Sequence, residues 1–145
     1  MFVYQHKVHY YETDRMGVTH HSNYFRFMEE ARVAFLDAIG ASYARMEADG
    51  IISPVMAIDG RFLHTTTFDD LIDIEVYIRE TSLLKLRLGY RMRVGRRKCS
   101  KVLRCIVSST RKGVRSASST AIRSLLRNRP KNRNVQPWHR PFFPW

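Results

Sequence analysis

Residues 24–39 of the chain read YFRFMEEARVAFLDAI, and this stretch decides the fold. Its apolar residues recur every three or four positions, which is the spacing of one face of an α-helix. The apolar arc is wide, as expected of a helix that a sheet wraps. Ser22 or Asn23 can cap the start of this helix, and Gly40 stands where a glycine commonly ends one.

Four stretches with strand composition lie on either side of this helix. They cover residues 2–11, 51–64, 72–79 and 84–93. In the last two, apolar and polar residues alternate, which is typical of half-buried strands. A short helix is predicted for about residues 42–49, and Gly60 is a candidate β-bulge. The order β–α–β–β–β with hairpins predicts an α+β fold, in which an antiparallel sheet packs on one long helix.

Length and composition exclude several classes of protein. A chain of 145 residues suffices for one ordinary domain, and 44% apolar residues exclude a wholly disordered chain. The apolar runs are too short to span a membrane, and the first residues do not have the pattern of a signal peptide. Cys99 and Cys105 are too few for a disulfide scaffold or a four-thiolate zinc site, so we expect a cytoplasmic protein.

The chemistry is concentrated in residues 10–32, which read YYETDRMGVTHHSNYFRFMEEAR. Asp14 and a histidine lie in a loop just before the helix N-terminus. Unpaired N–H groups and the positive end of the helix dipole could there polarise a carbonyl group. Asp14 could act as a nucleophile or as a general base on water. Aspartates before helices are more often caps or turn formers, so local chemistry leaves both roles open.

This stretch resembles the signature of the 4-hydroxybenzoyl-CoA thioesterase-like branch of the hotdog-fold acyl-CoA thioesterases. The likeness consists of Tyr-x-x-Thr-Asp, Met-Gly-Val, His-x-Asn-Tyr and a helix with Glu-x-Ala-Arg, and it covers about residues 3–93. It implies a hotdog fold, with an antiparallel sheet wrapped around one long central helix. It also implies an acyl-CoA thioesterase that releases a carboxylic acid and CoA, and acyl-carrier-protein thioesters would suit the same site.

The resemblance implies roles for individual residues. Asp14 matches the catalytic aspartate, and His21 matches a position that often holds a histidine or tyrosine lining the site. The loop backbone and the helix start would hold the thioester carbonyl. The substrate-binding positions are then Gly17, Val18, Asn23 and Tyr24. No metal, redox cofactor or other cofactor is implied, and although His20 and His21 are adjacent, no second cluster has metal-ligand spacing.

Another hotdog branch uses a glutamate on the helix as its catalytic carboxylate. The match at Asp14 favours the loop aspartate instead, so Glu29 and Glu30 are interpreted as the helix's polar side.

The resemblance also implies that two protomers pair edge to edge, which predicts a homodimer or homotetramer with active sites at the interface. The acyl-CoA phosphates would bind basic surface residues. The candidates are Lys85, Arg87 and Arg91, although exposed bases on a strand more often form a solvated face.

The formal net charge of +12 is divided very unevenly. Residues 1–93 hold all 13 acids and 11 of the 25 bases, whereas residues 94–145 hold 14 bases and no acid. We therefore predict a hotdog thioesterase domain over residues 1–110 and a basic, irregular C-terminal tail over residues 111–145. Residues 101–108 could still form a strand of that domain.

Three interpretations of this basic ending stay open. The first is a nucleic-acid-binding arm, in which Trp138 and Trp145 would stack on bases. The second is a tail that binds lipid or a partner. The third is the product of a changed reading frame near residue 94. The changed reading frame is favoured, because the sequence contains no Asp or Glu beyond the point where the resemblance to the family stops. A nucleic-acid partner is less favoured. The alternative function is a non-catalytic hotdog-derived binding protein whose tail contacts nucleic acid.

Overall fold

The computed structural model describes residues 1–82, 85–108 and 110–111, with side chains as far as residue 99. Two helices, a 3-10 turn and eight strands make up this part of the chain. In order they are β1 (Phe2–Lys7), the 3-10 turn (Tyr10–Glu12), α1 (His21–Ala38), α2 (Tyr43–Ala48), β2 (Ile51–Ile52), β3 (Val55–Phe62), β4 (Leu71–Thr81), β5 (Lys85–Val94), β6 (Arg97–Lys98), β7 (Ser100–Ser108) and β8 (Thr110–Arg111).

The main sheet is antiparallel throughout, with the order β1–β4–β5–β7–β3 and the short β6 paired to β5. The two-residue strands β2 and β8 form a separate pair. The long helix α1 packs against β1 and β4. This arrangement confirms the α+β hotdog fold predicted from the sequence. No helix in the described part of the chain is long and apolar enough to cross a membrane.

The core lies between α1 and the inner face of the sheet. Phe27 of α1, Ile74 of β4 and Leu88 of β5 are completely buried within one apolar cluster. The predicted alternation of β4 and β5 is confirmed, because the residues at every second position of each strand face this cluster. Burial of each large apolar side chain contributes about 1.5–3 kcal/mol.

The ends of α1 differ in part from the prediction. Ser22 or Asn23 as the N-cap is wrong, because His20 occupies that position with extended backbone angles, and its Nδ1 accepts from the Ser22 N–H (3.4 Å). The Asn23 side chain instead bonds to the preceding loop. Gly40, with φ of +76°, follows the C-cap, as predicted for a helix-ending glycine.

The first and second predicted strands are shorter than expected. The strand predicted over residues 2–11 ends at Lys7, because residues 10–12 form the 3-10 turn. The stretch 51–64 is divided into β2 and β3, and the break includes Pro54, whose ring removes a backbone donor. The bulge expected at Gly60 is wrong, because that glycine pairs in register with β7 and the irregularities lie nearer the two ends of β3.

The strand predicted over residues 101–108 is confirmed as β7, which lies inside the sheet between β5 and β3. The boundary at residue 110 stays a prediction. Residues 112–145, which contain nearly all of the expected basic tail, lie outside the described residues.

Candidate active site

Asp14 begins a tight loop between the 3-10 turn and α1. Its backbone N–H donates to the Val18 carbonyl, and its own carbonyl accepts from the Gly17 N–H, both at 2.9 Å. Thr13 and Thr19 pair across the base of this loop. Gly17 has a φ of +74°, a left-handed conformation that favours glycine. The loop therefore brings three of the predicted site residues together.

The Asp14 carboxylate is half-buried, and its two oxygens differ. Oδ1 accepts a hydrogen bond from the Met16 N–H at 2.8 Å, which makes an Asx turn. Oδ2 makes no hydrogen bond or ion pair with the residues that the structure describes. The turn thus fixes the direction of the carboxylate while leaving one oxygen able to react.

The predicted oxyanion donors are only partly available. The Gly17 N–H is already used within the loop. The backbone N–H groups of Val18 and His21 donate no hydrogen bond within the described part of the chain. His21 is also the first residue of α1, where the helix dipole is positive. The N–H groups of Val18 and His21, and not the N–H group of Gly17, could therefore donate hydrogen bonds to a substrate's carbonyl oxygen.

His21 is exposed at the surface. Its ring lies beside that of His20, with a centroid separation of 4.2 Å. Neither a hydrogen bond nor an ion pair joins it to Asp14 in the structure as described. The imidazole is therefore free to contact a bound molecule but does not orient the aspartate here.

Asn23 and Tyr24 are buried, and their polar groups bond to the protein. Asn23 Nδ2 donates to the Glu12 carbonyl at 2.7 Å. The Tyr24 hydroxyl lies 2.9 Å from Thr66 Oγ1 and accepts from the Thr66 N–H at 3.3 Å. Burial raises the pKa of this Tyr24 hydroxyl. Their substrate-binding role stays a prediction, since their polar atoms support the loop in this structure.

Residues 66 and 67 hold the loop from its other side. Thr66 Oγ1 is 2.6 Å from Thr19 Oγ1, and the Thr66 carbonyl accepts from the Thr19 N–H at 2.7 Å. The Thr67 hydroxyl donates to the Gly17 carbonyl at 2.8 Å. Sequence reasoning missed these two threonines, because a threonine in a loop far along the chain gives no local signal of a contact with Gly17 or Thr19.

A polar cluster, made of the buried His6 and Glu12 and the more exposed Glu30, Tyr4 and His9, was also missed. His6 Nε2 lies 2.9 Å from Glu12 Oε2, and His6 Nδ1 lies 3.0 Å from Glu30 Oε2. The Tyr4 hydroxyl donates to Glu30 at 3.2 Å. One available signal was that His6 falls on the inward-facing side of a predicted strand, where a polar ring needs partners.

Part of this polar cluster has donors suited to a metal ion. One ligand atom from each of His6, His9 and Glu12 lies within 4.8 Å of the others, and histidine with carboxylate is a set that zinc accepts. Glu12 Oε2, however, is already bonded to His6 Nε2 and to the His9 N–H. Hydrogen bonding within the cluster accounts for this grouping.

Among the glutamates and bases that the sequence singled out, Glu29, Arg87 and Arg91 lie in ion pairs. Glu29 faces Arg32 on the same helix at 3.7 Å, which fits the polar-side interpretation. Arg87 pairs with Glu80 at 2.7 Å. Arg91 pairs with Glu75 at 3.3 Å. These arginines are partly neutralised by neighbouring acids, as in a solvated face, and their binding to CoA phosphates stays a prediction.

Comparison with known proteins now identifies the family. The sequence profile of the Thioesterase-like superfamily matches residues 8–123. The chain belongs to this superfamily. A protein of Aquifex aeolicus (strain VF5) named "Putative esterase" is 34% identical over 89 residues, which are 61% of this chain and 70% of that protein. The "Putative acyl-CoA thioesterase YneP" of Bacillus subtilis (strain 168) is 32% identical over 84 residues, 58% of this chain and 61% of that protein.

A solved structure from another organism has a similar fold. The hypothetical protein TT1821 from Thermus thermophilus is 29% identical, with a TM-score of 0.83 over 90% of this chain and 98% of that one. Membership of the thioesterase-like superfamily confirms the resemblance stated from the loop and helix motifs. It makes the chain a hydrolase of the thioesterase group in the broad sense. The family match extends to residue 123, beyond the residue 93 at which the motif resemblance ends.

Proposed function

We propose that this thioesterase-superfamily protein hydrolyses acyl-CoA thioesters, with Asp14 as the reacting carboxylate. The observation that carries the proposal is the Asx turn, which fixes the Asp14 carboxylate in the loop that leads into α1 and leaves one oxygen without a bond to the described residues. The N–H groups of Val18 and His21, which are unpaired within the same part of the chain, supply donors for a carbonyl oxygen. The name of the Bacillus subtilis relative supports acyl-CoA as the substrate class.

Two routes are chemically consistent with this arrangement. In the first, Asp14 takes a proton from water as the water oxygen attacks the thioester carbon, and the resulting oxyanion is held by the backbone N–H groups. Collapse of that intermediate breaks the carbon–sulfur bond, and the CoA thiolate takes up a proton. In the second, the carboxylate itself attacks and expels the thiolate, and water then hydrolyses the mixed anhydride.

A single turnover in the presence of hydroxylamine, with a second in ¹⁸O-labelled water, tests for the anhydride. A hydroxamate formed on Asp14, or ¹⁸O in its carboxylate, shows that Asp14 is the nucleophile. Label in the released acid alone, with no hydroxamate on Asp14, favours the general-base route. His21, exposed at the start of α1, is proposed to contact the substrate rather than to transfer this proton.

The decisive experiment compares thiol release by the native chain and by Asp14→Asn on short, medium and aromatic acyl-CoAs. The asparagine keeps an oxygen for the Met16 N–H, so the loop is retained while the base is lost. We expect turnover to fall by about 10²–10⁴-fold. Asp37→Asn, an exposed change on α1, is the matched control and should leave turnover unaltered. Equal turnover in Asp14→Asn and native protein would disprove the role of Asp14.

We further propose that two copies pair through β3. Among the strands that the structure describes, β3 lies at the end of the sheet and pairs with β7 alone, and all eight of its residues are exposed. It carries exposed large apolar side chains, including Met56 at 63% and Ile58 at 40% exposure. A long apolar edge strand is a ready site for pairing with another chain. This geometry supports the predicted edge-to-edge homodimer.

A further inference from the structure

We propose that Glu12 is a positioning residue for the reaction, which fixes the Asp14 loop against β1 and α1 from within the protein. This inference rests on the proposed function of Asp14. Glu12 stands two residues before Asp14, and its side chain is only 6% exposed. It touches no reacting group itself and would act through the loop that it holds.

The Glu12 side chain connects the loop to the end of β1. Its Oε2 atom accepts from the His9 N–H at 2.8 Å and lies 2.9 Å from His6 Nε2. His6 is itself fixed, because its ring stacks on Phe27 of α1 with a centroid separation of 3.8 Å. The carboxylate therefore attaches the start of the loop to a ring that is packed in the core.

The Glu12 backbone connects the same point to α1. Its carbonyl oxygen accepts from the His20 N–H at 2.9 Å and from Asn23 Nδ2 at 2.7 Å. His20 is the N-cap of α1 and also the far end of the loop. The two ends of the loop thus meet at one residue, and the N–H groups proposed as oxyanion donors lie within the same closed unit.

This geometry has a direct consequence for catalysis. Only the short loop 13–19 connects Glu12 to His20, the N-cap of α1, and Asp14 lies in this loop. A small rotation of the backbone at Glu12 therefore moves Asp14 relative to the start of α1. Misplacement of a reacting group by about 1 Å can lower a rate by about 10²-fold. The buried carboxylate is therefore expected to govern kcat, and to affect substrate binding much less.

Glu30 provides a matched control from the same polar cluster. Its carboxylate bonds to the other nitrogen of His6 and to the Tyr4 hydroxyl. It makes no hydrogen bond or ion pair with loop residues 13–19 within the described part of the chain. Glu30→Ala thus removes a carboxylate from the same histidine as Glu12→Ala, without cutting the attachment of the loop.

The test measures kcat, KM and Tm for the native chain, Glu12→Ala, Glu12→Asp and Glu30→Ala, together with amide hydrogen exchange in residues 13–19. Alanine is chosen because glutamine would keep an oxygen for the His9 N–H. We expect Glu12→Ala to lower kcat by about 10²-fold with little change in KM, and to speed exchange of the loop amides. Glu12→Asp, which keeps the charge, should recover part of kcat. Glu30→Ala should lower Tm alone.

Two results would overturn the proposal: an equal loss of kcat in Glu12→Ala and Glu30→Ala, or a fall in Tm in Glu12→Ala with unaltered kcat and loop exchange. If Glu12→Ala does not fold, Glu12→Asp carries the same comparison. Absence of thiol release from the native chain would contradict the proposed function instead. Hydrogen exchange then decides the role of Glu12 independently, since it needs no substrate.

Discussion

The two oxygens of Asp14 have different surroundings, so a turn-forming aspartate can also have the reacting role that we propose for it. One oxygen satisfies the Met16 N–H, and the other remains unbonded among the described residues. Asx turns are common before helices and have no chemistry of their own. Here the turn supplies the fixed orientation that a reacting carboxylate needs.

Glu12 also makes the stability of the protein depend on pH. Burial by itself would raise the pKa of the Glu12 carboxyl, but hydrogen bonds from His6 and the His9 N–H, with the charge of both imidazoles, outweigh burial and lower it below 4.5. A carboxyl whose folded pKa is lowered stabilises the protein above its unfolded pKa. That stability is lost as the pH falls through the lower folded pKa.

We therefore expect Glu12→Gln to lower the free energy of unfolding by about 1–3 kcal/mol at neutral pH. The difference in Tm between native protein and Glu12→Gln should shrink as the pH falls below 4.5, the ordinary value. Thermal unfolding followed by circular dichroism from neutral to acidic pH checks this. Glu47→Gln, an exposed change on α2, is the control. A Tm difference that stays constant with pH would contradict the prediction.

At this scale the sequence indicated the residue proposed to react, but not the residues that support it. Asp14 and the adjacent loop follow from a continuous motif. Thr66 could not be predicted, because it reaches Thr19 and Tyr24 only through the folded sheet. Glu12 lies inside the motif, yet nothing local indicates that its carboxylate is buried against a histidine of β1.

At the scale of elements, β4 and β5 contain a glycine that the packing requires. Gly89 pairs with Tyr77 across these strands. A Cβ on Gly89 would lie 2.7 Å from the Tyr77 hydroxyl oxygen and still closer to the ring carbons. The Arg91 guanidinium in turn lies 5.1 Å from the centroid of that ring. The tyrosine thus covers the glycine backbone and presents its face to a cation.

Gly89→Ala is expected to lower the free energy of unfolding by about 1–3 kcal/mol, because the ring must move away from its site. The measurement is urea unfolding of Gly89→Ala, Tyr77→Ala and the double variant. In the Tyr77→Ala background, Gly89→Ala should lower the free energy of unfolding by less than about 1 kcal/mol, because the ring that the new Cβ would overlap is absent. An equal cost in both backgrounds would show that ring contact is not the cause.

Element types were more predictable than their bounds. The helix over residues 24–39 and the alternation in β4 and β5 were clear, because their apolar faces are long and regular. The early end of β1 was not clear, since Tyr10 and Tyr11 have strand propensity but lie exposed within the 3-10 turn. Loop attachment at Glu12 overrides propensity there.

At the scale of the whole molecule, the apolar β3 edge predicts self-association. Met56→Lys with Ile58→Lys places two charges on this edge and should prevent pairing. Light scattering after size exclusion is expected to change from a multiple of 17.1 kDa to the single-chain mass. Leu71→Lys, an exposed change at the start of an internal strand, should not alter the mass. A single-chain mass for the native protein would contradict the dimer.

The position of β7 inside the sheet determines how the basic ending must be tested. A deletion that starts at residue 94 would remove a central strand, so the informative deletion removes residues 112–145. We expect the shortened chain to release thiol at the native rate. Nucleic-acid binding with steep salt dependence, lost on this deletion, would instead favour the non-catalytic alternative. Re-reading the DNA in its other frames tests the changed-frame interpretation directly.

The order of strands also has a consequence for how the chain folds as it is made. Of the described strands, β7 alone pairs with β3, and β4, β5 and β6 must be synthesised between them. At about 5–20 residues per second, β3 therefore waits for roughly 2–9 s without its partner. An apolar strand whose partner has not yet been synthesised can pair with strands of other nascent chains and aggregate. Yield of folded protein should then respond more to slower synthesis and to chaperone supply than to changes in final stability.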